Sequence, residues 1–285
     1  MEKNLKLIEC PRDAMQGMVD YVPTEKKVSY INQLLLCGFD TIDFGSFVSP
    51  KAIPQMRDTA DVLSQLDLSS TKSKLLAIIA NERGAEDACT FEEIKYLGYP
   101  FSVSEEFQKR NTNSTIEETL QRVEFIQNKC VLSNKKLVIY ISMGFGNPYG
   151  EKWSPELVLN WTERLVNLFG IEIIAISDTI GSAKKDDITF LYETLIPELP
   201  QIEFGAHMHV RSENAKEIVK IAYDAGCRRF DSAIGGFGGC PMAKDELTGN
   251  MPTEIMLDYF QENSIPTSID MQSFEYAKKV STSIF

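Results

Sequence analysis

The sequence has 285 residues, with 29 Lys+Arg set against 41 Asp+Glu for a formal net charge of −12. That length, close to the ~250 residues of a closed α/β barrel, allows a large core, and the acidic balance excludes a general nucleic-acid binder. Six scattered cysteines without a C-x-x-C pair, no signal peptide and no apolar run of bilayer length point to reduced thiols in a cytoplasmic protein with no membrane partner.

Strands are predicted at residues 5–9, 41–44, 75–79, 97–103, 137–142, 171–177, 202–209 and 229–233. Four of the intervening helices are expected to run into a single glycine (Gly38, Gly98, Gly170, Gly226) before the next strand, as a left-handed helix end requires. Helix starts are signalled by Ser114 with Glu117 as a capping box, by Ser154-Pro155 as N-cap and first helical position, and by Thr253 as a cap. Apolar spacing at Ile116, Leu120, Val123 and at Leu157, Trp161, Leu165, Leu168 supports two of these helices. Such alternation favours a (β/α)8 TIM barrel over an open doubly wound sheet. With no Pro/Gly/Ser-rich linker, residues 1–285 read as one domain, and 267–285 as a terminal helix outside the barrel.

The only two histidines are His207 and His209, on one face of a predicted strand because strand side chains alternate. A shared divalent metal and ordinary core partners explain an H-x-H pair about equally well. Barrel active sites lie at the C-terminal strand ends, so other polar residues there are weighed with it. Asp13 would complete a set of two imidazoles and one carboxylate, and Asn250 could add a neutral oxygen, although each is also an ordinary turn residue. Arg12 is either the partner of Asp13 or a fixed cation for an anionic substrate oxygen. Asp43 is a candidate for holding Arg12 or a metal ligand in place. Tyr140 and Asp178 are balanced between packing or capping and catalysis. The run Gly235 to Gly239 lacks the Gly-Lys-Ser/Thr ending of a phosphate loop and reads as a flap, with Cys240 behind it as a buried apolar residue or an acid/base thiol.

Together these residues resemble the hydroxymethylglutaryl-CoA lyase family over nearly the whole chain. The resemblance rests on Pro11-Arg12-Asp13 with Gln16, Ser46-Phe47-Val48-Ser49-Pro50-Lys51, Asp178-Thr179-Ile180-Gly181, His207-x-His209, and Gly238-Gly239-Cys240-Pro241 followed by Gly249-Asn250. It implies Asp13, His207, His209 and Asn250 as metal ligands, Arg12 as the catalytic arginine, Asp178 as a polar active-site residue and Cys240 as the flap cysteine that protonates an enolate carbon. The implied reaction is a retro-Claisen cleavage of hydroxymethylglutaryl-CoA to acetoacetate and acetyl-CoA, with Mg2+ or Mn2+ ahead of Zn2+ and Asp13 a candidate base. An acyl-CoA substrate, a homodimer and a place in leucine catabolism are implied with it. The chain departs from the family pattern at Asp43, Val138, Ala175 and Val210 to Glu213. A related Claisen-type acyltransferase or aldolase, or a non-catalytic acyl-CoA-binding barrel, is the alternative.

Overall fold

The structure, a computed structural model, describes residues 4–239 and 248–285. Eight parallel strands close into a barrel in sequence order. They are β1 (Lys6–Glu9), β2 (Thr41–Ser46), β3 (Lys74–Ile78), β4 (Ile94–Ser102), β5 (Lys136–Ser142), β6 (Ile173–Asp178), β7 (Glu203–Met208) and β8 (Arg229–Ser232). Closure is made by β8 on β1, in register from Lys6 opposite Arg229 to Glu9 opposite Ser232. The TIM barrel expected from the sequence is therefore the fold.

Around it run α1 (Pro11–Gln16), α2 (Thr24–Leu35), α3 (Thr59–Leu63), α4 (Glu82–Cys89), α5 (Glu105–Thr112), α6 (Ile116–Leu132), α7 (Pro155–Phe169), α8 (Lys185–Glu198), α9 (Ser212–Asp224), α10 (Thr253–Glu262) and α11 (Met271–Ser281), the last packing on α2. Strands covered on both faces carry unbroken apolar runs, as β6 does with every residue buried. Alternation then divides the core. Leu76, Tyr96, Val138, Tyr140, Ile173 and Ala175 pack inside the barrel, whereas Leu75, Ile139 and Ile174 belong to the larger layer beneath the helices. Among the described residues no helix is long and apolar enough to cross a membrane.

Three of the four glycine signals hold: Gly38, Gly170 and Gly226 have φ of 88°, 63° and 99°. Gly98 does not end a helix. It lies inside β4, where a Cβ would come within 2.9 Å of Tyr140 Cε2, so its role is to let β4 and β5 side chains meet in the barrel interior. The capping box belongs to Thr115 and Glu118, one residue later than expected, because the buried Ser114 hydroxyl is already engaged by Thr112, Thr119 and Arg122. Ser154 caps α7 with Pro155 in its first turn. Thr253 is the first residue of α10 rather than its cap, its hydroxyl being drawn inward to Glu9 and Ser232. Leu168, expected on the apolar face of α7, is 57% exposed.

Glu9, at the end of β1, is fully buried and accepts from the Ile234 amide at 2.8 Å while the Thr253 hydroxyl lies 2.6 Å from its other oxygen. Burial pushes its pKa up from 4.5 to about 8, against the two hydrogen bonds. A carboxyl whose folded pKa is raised contributes stability below its unfolded pKa, and that contribution is lost as pH rises through 8. Glu9→Gln keeps the neutral shape and removes the titration. Urea unfolding is expected to show the unsubstituted chain losing roughly 2–3 kcal/mol between pH 6 and 9 that the variant retains.

Candidate metal centre

Short α1 begins directly after β1, with Pro11 at its first position, and delivers Arg12 and Asp13 to the C-terminal mouth of the barrel. Two strands away around the barrel, past β8, β7 delivers His207, and His209 follows just beyond it, bridged to Asn250. The two rings lie 5.3 Å apart, as the alternation of the strand predicts. His207 Nε2 is 4.0 Å and His209 Nε2 is 3.8 Å from the same atom, Asp13 Oδ2. The ligand-type atoms of these three residues all lie within 4.8 Å of one another.

The far side of each ring is committed. His207 Nδ1 is 3.2 Å from Asp231 Oδ2, and His209 Nδ1 is 3.1 Å from the Thr179 carbonyl oxygen. Both partners are acceptors, so both Nδ1 atoms carry the proton and both Nε2 atoms present lone pairs. His209 Nε2 is buried and has no hydrogen-bond partner among the described residues. Two imidazole lone pairs facing a carboxylate oxygen across gaps too wide for hydrogen bonds make an arrangement that a divalent cation satisfies. The donor set thus fits a metal ion. A second cluster of Cys10, His207 and Asp231 shares the Nδ1 side of His207, but burial and the nearby Asp231, Asp43 and Asp13 push the Cys10 thiol well above its ordinary range, leaving it protonated.

Asp13 is held from every side. Its Oδ1 accepts from Arg12 Nη1 at 2.7 Å and Gln16 Nε2 at 2.8 Å, and its Oδ2 accepts from Asn250 Nδ2 at 2.8 Å. Burial alone would raise its pKa, but the Arg12 guanidinium and then the two histidines hold the carboxyl well below the usual range. That suits a ligand and makes Asp13 a poor general base. For His207, burial lowers the pKa but Asp231 and Asp13 raise it overall, so a cation competes with a proton there.

Arg12 donates from Nε and Nη2 to Asp43, the Nη2 contact being 2.5 Å, and from Nη1 to Asp13 and Gln16. Four of its five N–H groups are used among the described residues, leaving one on Nη2. Asp43 does not line the cavity. It acts through Arg12, and burial lifts its own pKa from 3.8 to about 6 despite that partner.

The other predicted residues divide. Tyr140 lines the cavity edge-on to the His207 ring, centroids 5.4 Å apart, its hydroxyl buried without a partner among the described residues. Asp178 is not brought to the cavity: its two oxygens accept the Ser182 and Ala183 amides at 2.9 and 2.8 Å and so cap the loop after β6. Asn250 reaches the site, but turns its amide nitrogen to Asp13 and to the Phe237 carbonyl at 2.9 Å. Cys240 lies outside the described residues. Sequence reasoning missed Asp231 and the Thr179 carbonyl, which orient the two rings; the signal for Asp231 was a second charged side chain two residues after Arg229 in one buried strand.

These residues open on a cavity of about 460 Å3 with Arg12 and Arg110 in its lining and an apolar wall that includes Ile53, Ile78 and Pro100. Both arginines are ion-paired, Arg12 with Asp13 and Asp43 and Arg110 with Glu106, so the cavity holds fixed cations whose charge is balanced by neighbouring carboxylates. Fold and site together define a (β/α)8 barrel enzyme with a donor set for a divalent cation at its C-terminal mouth. The HMGL-like family matches residues 5–280, and the chain belongs to that family. Hydroxymethylglutaryl-CoA lyase YngG of Bacillus subtilis (strain 168) is 31% identical over 277 residues, 94% of this chain and 89% of the relative. The cytoplasmic 3-hydroxy-3-methylglutaryl-CoA lyase of Rattus norvegicus is 30% identical over 94% of this chain and 77% of its own. An HMG-CoA lyase from Acinetobacter baumannii, solved with coenzyme A and 3-methylmalate, superposes with a TM-score of 0.90 at 30% identity, covering 98% of this chain and 90% of that one.

Proposed function

We propose that this chain is a hydroxymethylglutaryl-CoA lyase, cleaving the carbon–carbon bond of 3-hydroxy-3-methylglutaryl-CoA to acetoacetate and acetyl-CoA. The observation that carries this is the convergence of Asp13, His207 and His209 on one point beside Arg12, inside the cavity of a family whose named relatives are lyases. The transferase, aldolase and binding-only alternatives find no support in those relatives.

Asp13, His207 and His209 would hold the divalent ion, and Asn250, beside Asp13 Oδ2, would be its fourth ligand. Mg2+ or Mn2+ is the ion of choice, and Zn2+ the third candidate for two imidazoles and a carboxylate. When bound, the ion supplies Lewis-acid stabilisation and lowers the pKa of a hydroxyl it meets. Asp231 and the Thr179 carbonyl keep both imidazoles in the tautomer that ligation needs. Arg12, clamped by Asp43 and Gln16, turns its remaining Nη2 proton to negative charge developing on the thioester oxygen during cleavage. Cys240 Sγ is the proposed proton donor to the acetyl-CoA enolate carbon. Tyr140, edge-on to the His207 ring, is proposed to hold that ring in place.

The match over residues 5–280 supports one domain over residues 1–285; a homodimer, a cytoplasmic location and a role in leucine catabolism rest on the motif resemblance alone, the chain's relatives including both cytoplasmic and mitochondrial lyases. Purified protein supplied with Mg2+ or Mn2+ and the acyl-CoA is expected to release acetoacetate. A folded protein that releases none with either ion overturns the reading.

A further inference from the structure

Beyond the ligands, the metal centre leans on a turn with little structure of its own. Gly235, Gly236, Gly238 and Gly239 all have positive φ, between 65° and 140°, so Phe237 is the one side chain larger than hydrogen between residues 235 and 239. The turn touches the site at two points. Its Phe237 carbonyl accepts Asn250 Nδ2 at 2.9 Å, the same nitrogen that donates to Asp13 Oδ2 at 2.8 Å. At Gly238 a Cβ would lie 2.6 Å from the Asp13 carbonyl oxygen and 2.7 Å from Asn250 Nδ2. The Phe237 carbonyl and the Asn250 side-chain amide are therefore tied to one another, while the bridge to His209 holds the Asn250 backbone.

What fixes the Phe237 ring is Phe285. The two rings stack with centroids 4.4 Å apart and planes within 10°. Phe285 is in turn seated from behind: it meets Tyr30 of α2 edge-on at 6.3 Å and packs on the cluster of Met15, Val22 and Met56, of which Met15 is two residues beyond Asp13 in α1. Lys26 Nζ ties the same segment down at the Ser283 carbonyl, 2.9 Å away. One aromatic side chain thus bridges the helix that carries Asp13 and the turn that holds Asn250.

We propose that Phe285 is a positioning residue for the metal centre, its ring holding Phe237 and the glycine turn where the Phe237 carbonyl fixes Asn250 beside Asp13. The role in cation binding rests on the metal reading above. A glycine-rich turn has many conformations to lose on ordering, and the stacked pair reduces them before the ion arrives.

The test uses the full chain and Mn2+ alone as probe, with the dissociation constant read by calorimetry and turn protection read by hydrogen exchange at residues 234–239. Phe285→Ala and Phe285→Leu are expected to weaken Mn2+ binding about threefold to tenfold and to speed exchange in the turn, while Phe285→Tyr restores both. Far-UV circular dichroism and Tm identify any variant that has lost its fold, and rescue by the aromatic ring but not by leucine separates stacking from simple burial. An unchanged Mn2+ constant in a folded Phe285→Ala chain overturns the proposal. If the unsubstituted chain binds no Mn2+, the metal reading fails instead, and unchanged exchange in Phe285→Ala then overturns the claim that Phe285 holds the turn.

Discussion

Arg12→Lys is expected to lower kcat by about 10²–10³-fold while the folded state and the Mn2+ constant change little. Both side chains carry one positive charge, so the loss must come from geometry. Arginine forks onto Asp43 with Nε and Nη2, reaches Asp13 and Gln16 with Nη1, and still keeps one N–H that no described residue takes. Lysine has three donors on one atom and cannot span the same acceptors. The buried Asp43 carboxyl, already at about 6 with arginine beside it, would then be mostly protonated at neutral pH, and the ammonium would settle on whichever acceptor remained. Removing one preorganised donor from a site of developing negative charge typically costs two to three orders of magnitude in kcat. The measurement is steady-state acetoacetate release, with KM separated from kcat and circular dichroism as the control for folding. A kcat within threefold of the unsubstituted chain would show that Arg12 merely balances Asp13 and Asp43.

The barrel was legible because its signals are local. A glycine that ends a helix in the left-handed conformation needs only its own turn to do so, and Gly38, Gly170 and Gly226 marked three such ends correctly. Gly98 misled because the same residue also serves close packing inside a barrel, which depends on Tyr140 and Leu76, far away in the chain. Ser114 and Thr115 were confused for a related reason: either hydroxyl can cap, and the choice is made by Arg122 and Thr119 reaching Ser114 first. At the site, His207 and His209 were legible from their spacing of two, and Arg12-Asp13 from their place after the first strand. What orients the rings was not. The Thr179 partner is a backbone carbonyl, which every residue has, and Asp231 has meaning only once β7 and β8 are neighbours. Asp178 stood at a strand end like a catalytic residue, yet two loop amides take its carboxylate.

Asp13→Ala is expected to abolish Mn2+ binding, a loss of at least about 10³-fold, and with it all acetoacetate release. The three-residue set has a single carboxylate, and without it two neutral imidazoles must hold a divalent charge beside Arg12, whose own charge only Asp43 then balances. Chelation separates this outcome from damage to the fold. A chelated unsubstituted chain should be equally inactive but regain activity with Mn2+, whereas the variant should not. Ion binding also stabilises: at a hundredfold excess over Kd it contributes about 2.7 kcal/mol, and each kcal/mol moves Tm by roughly 2–4 °C in a chain of this size. Added Mn2+ should therefore raise the melting temperature of the unsubstituted chain and leave that of Asp13→Ala where it was. Acid gives an independent check in the absence of metal. The folded pKa of Asp13 is depressed, so its ion pairs contribute stability above the ordinary value of 3.8, and that contribution is lost as pH falls below it. Below pH 4 the unsubstituted chain should lose unfolding free energy more steeply than Asp13→Ala; equal slopes would mean that Arg12 and the two histidines do not bear on this carboxylate as their distances imply.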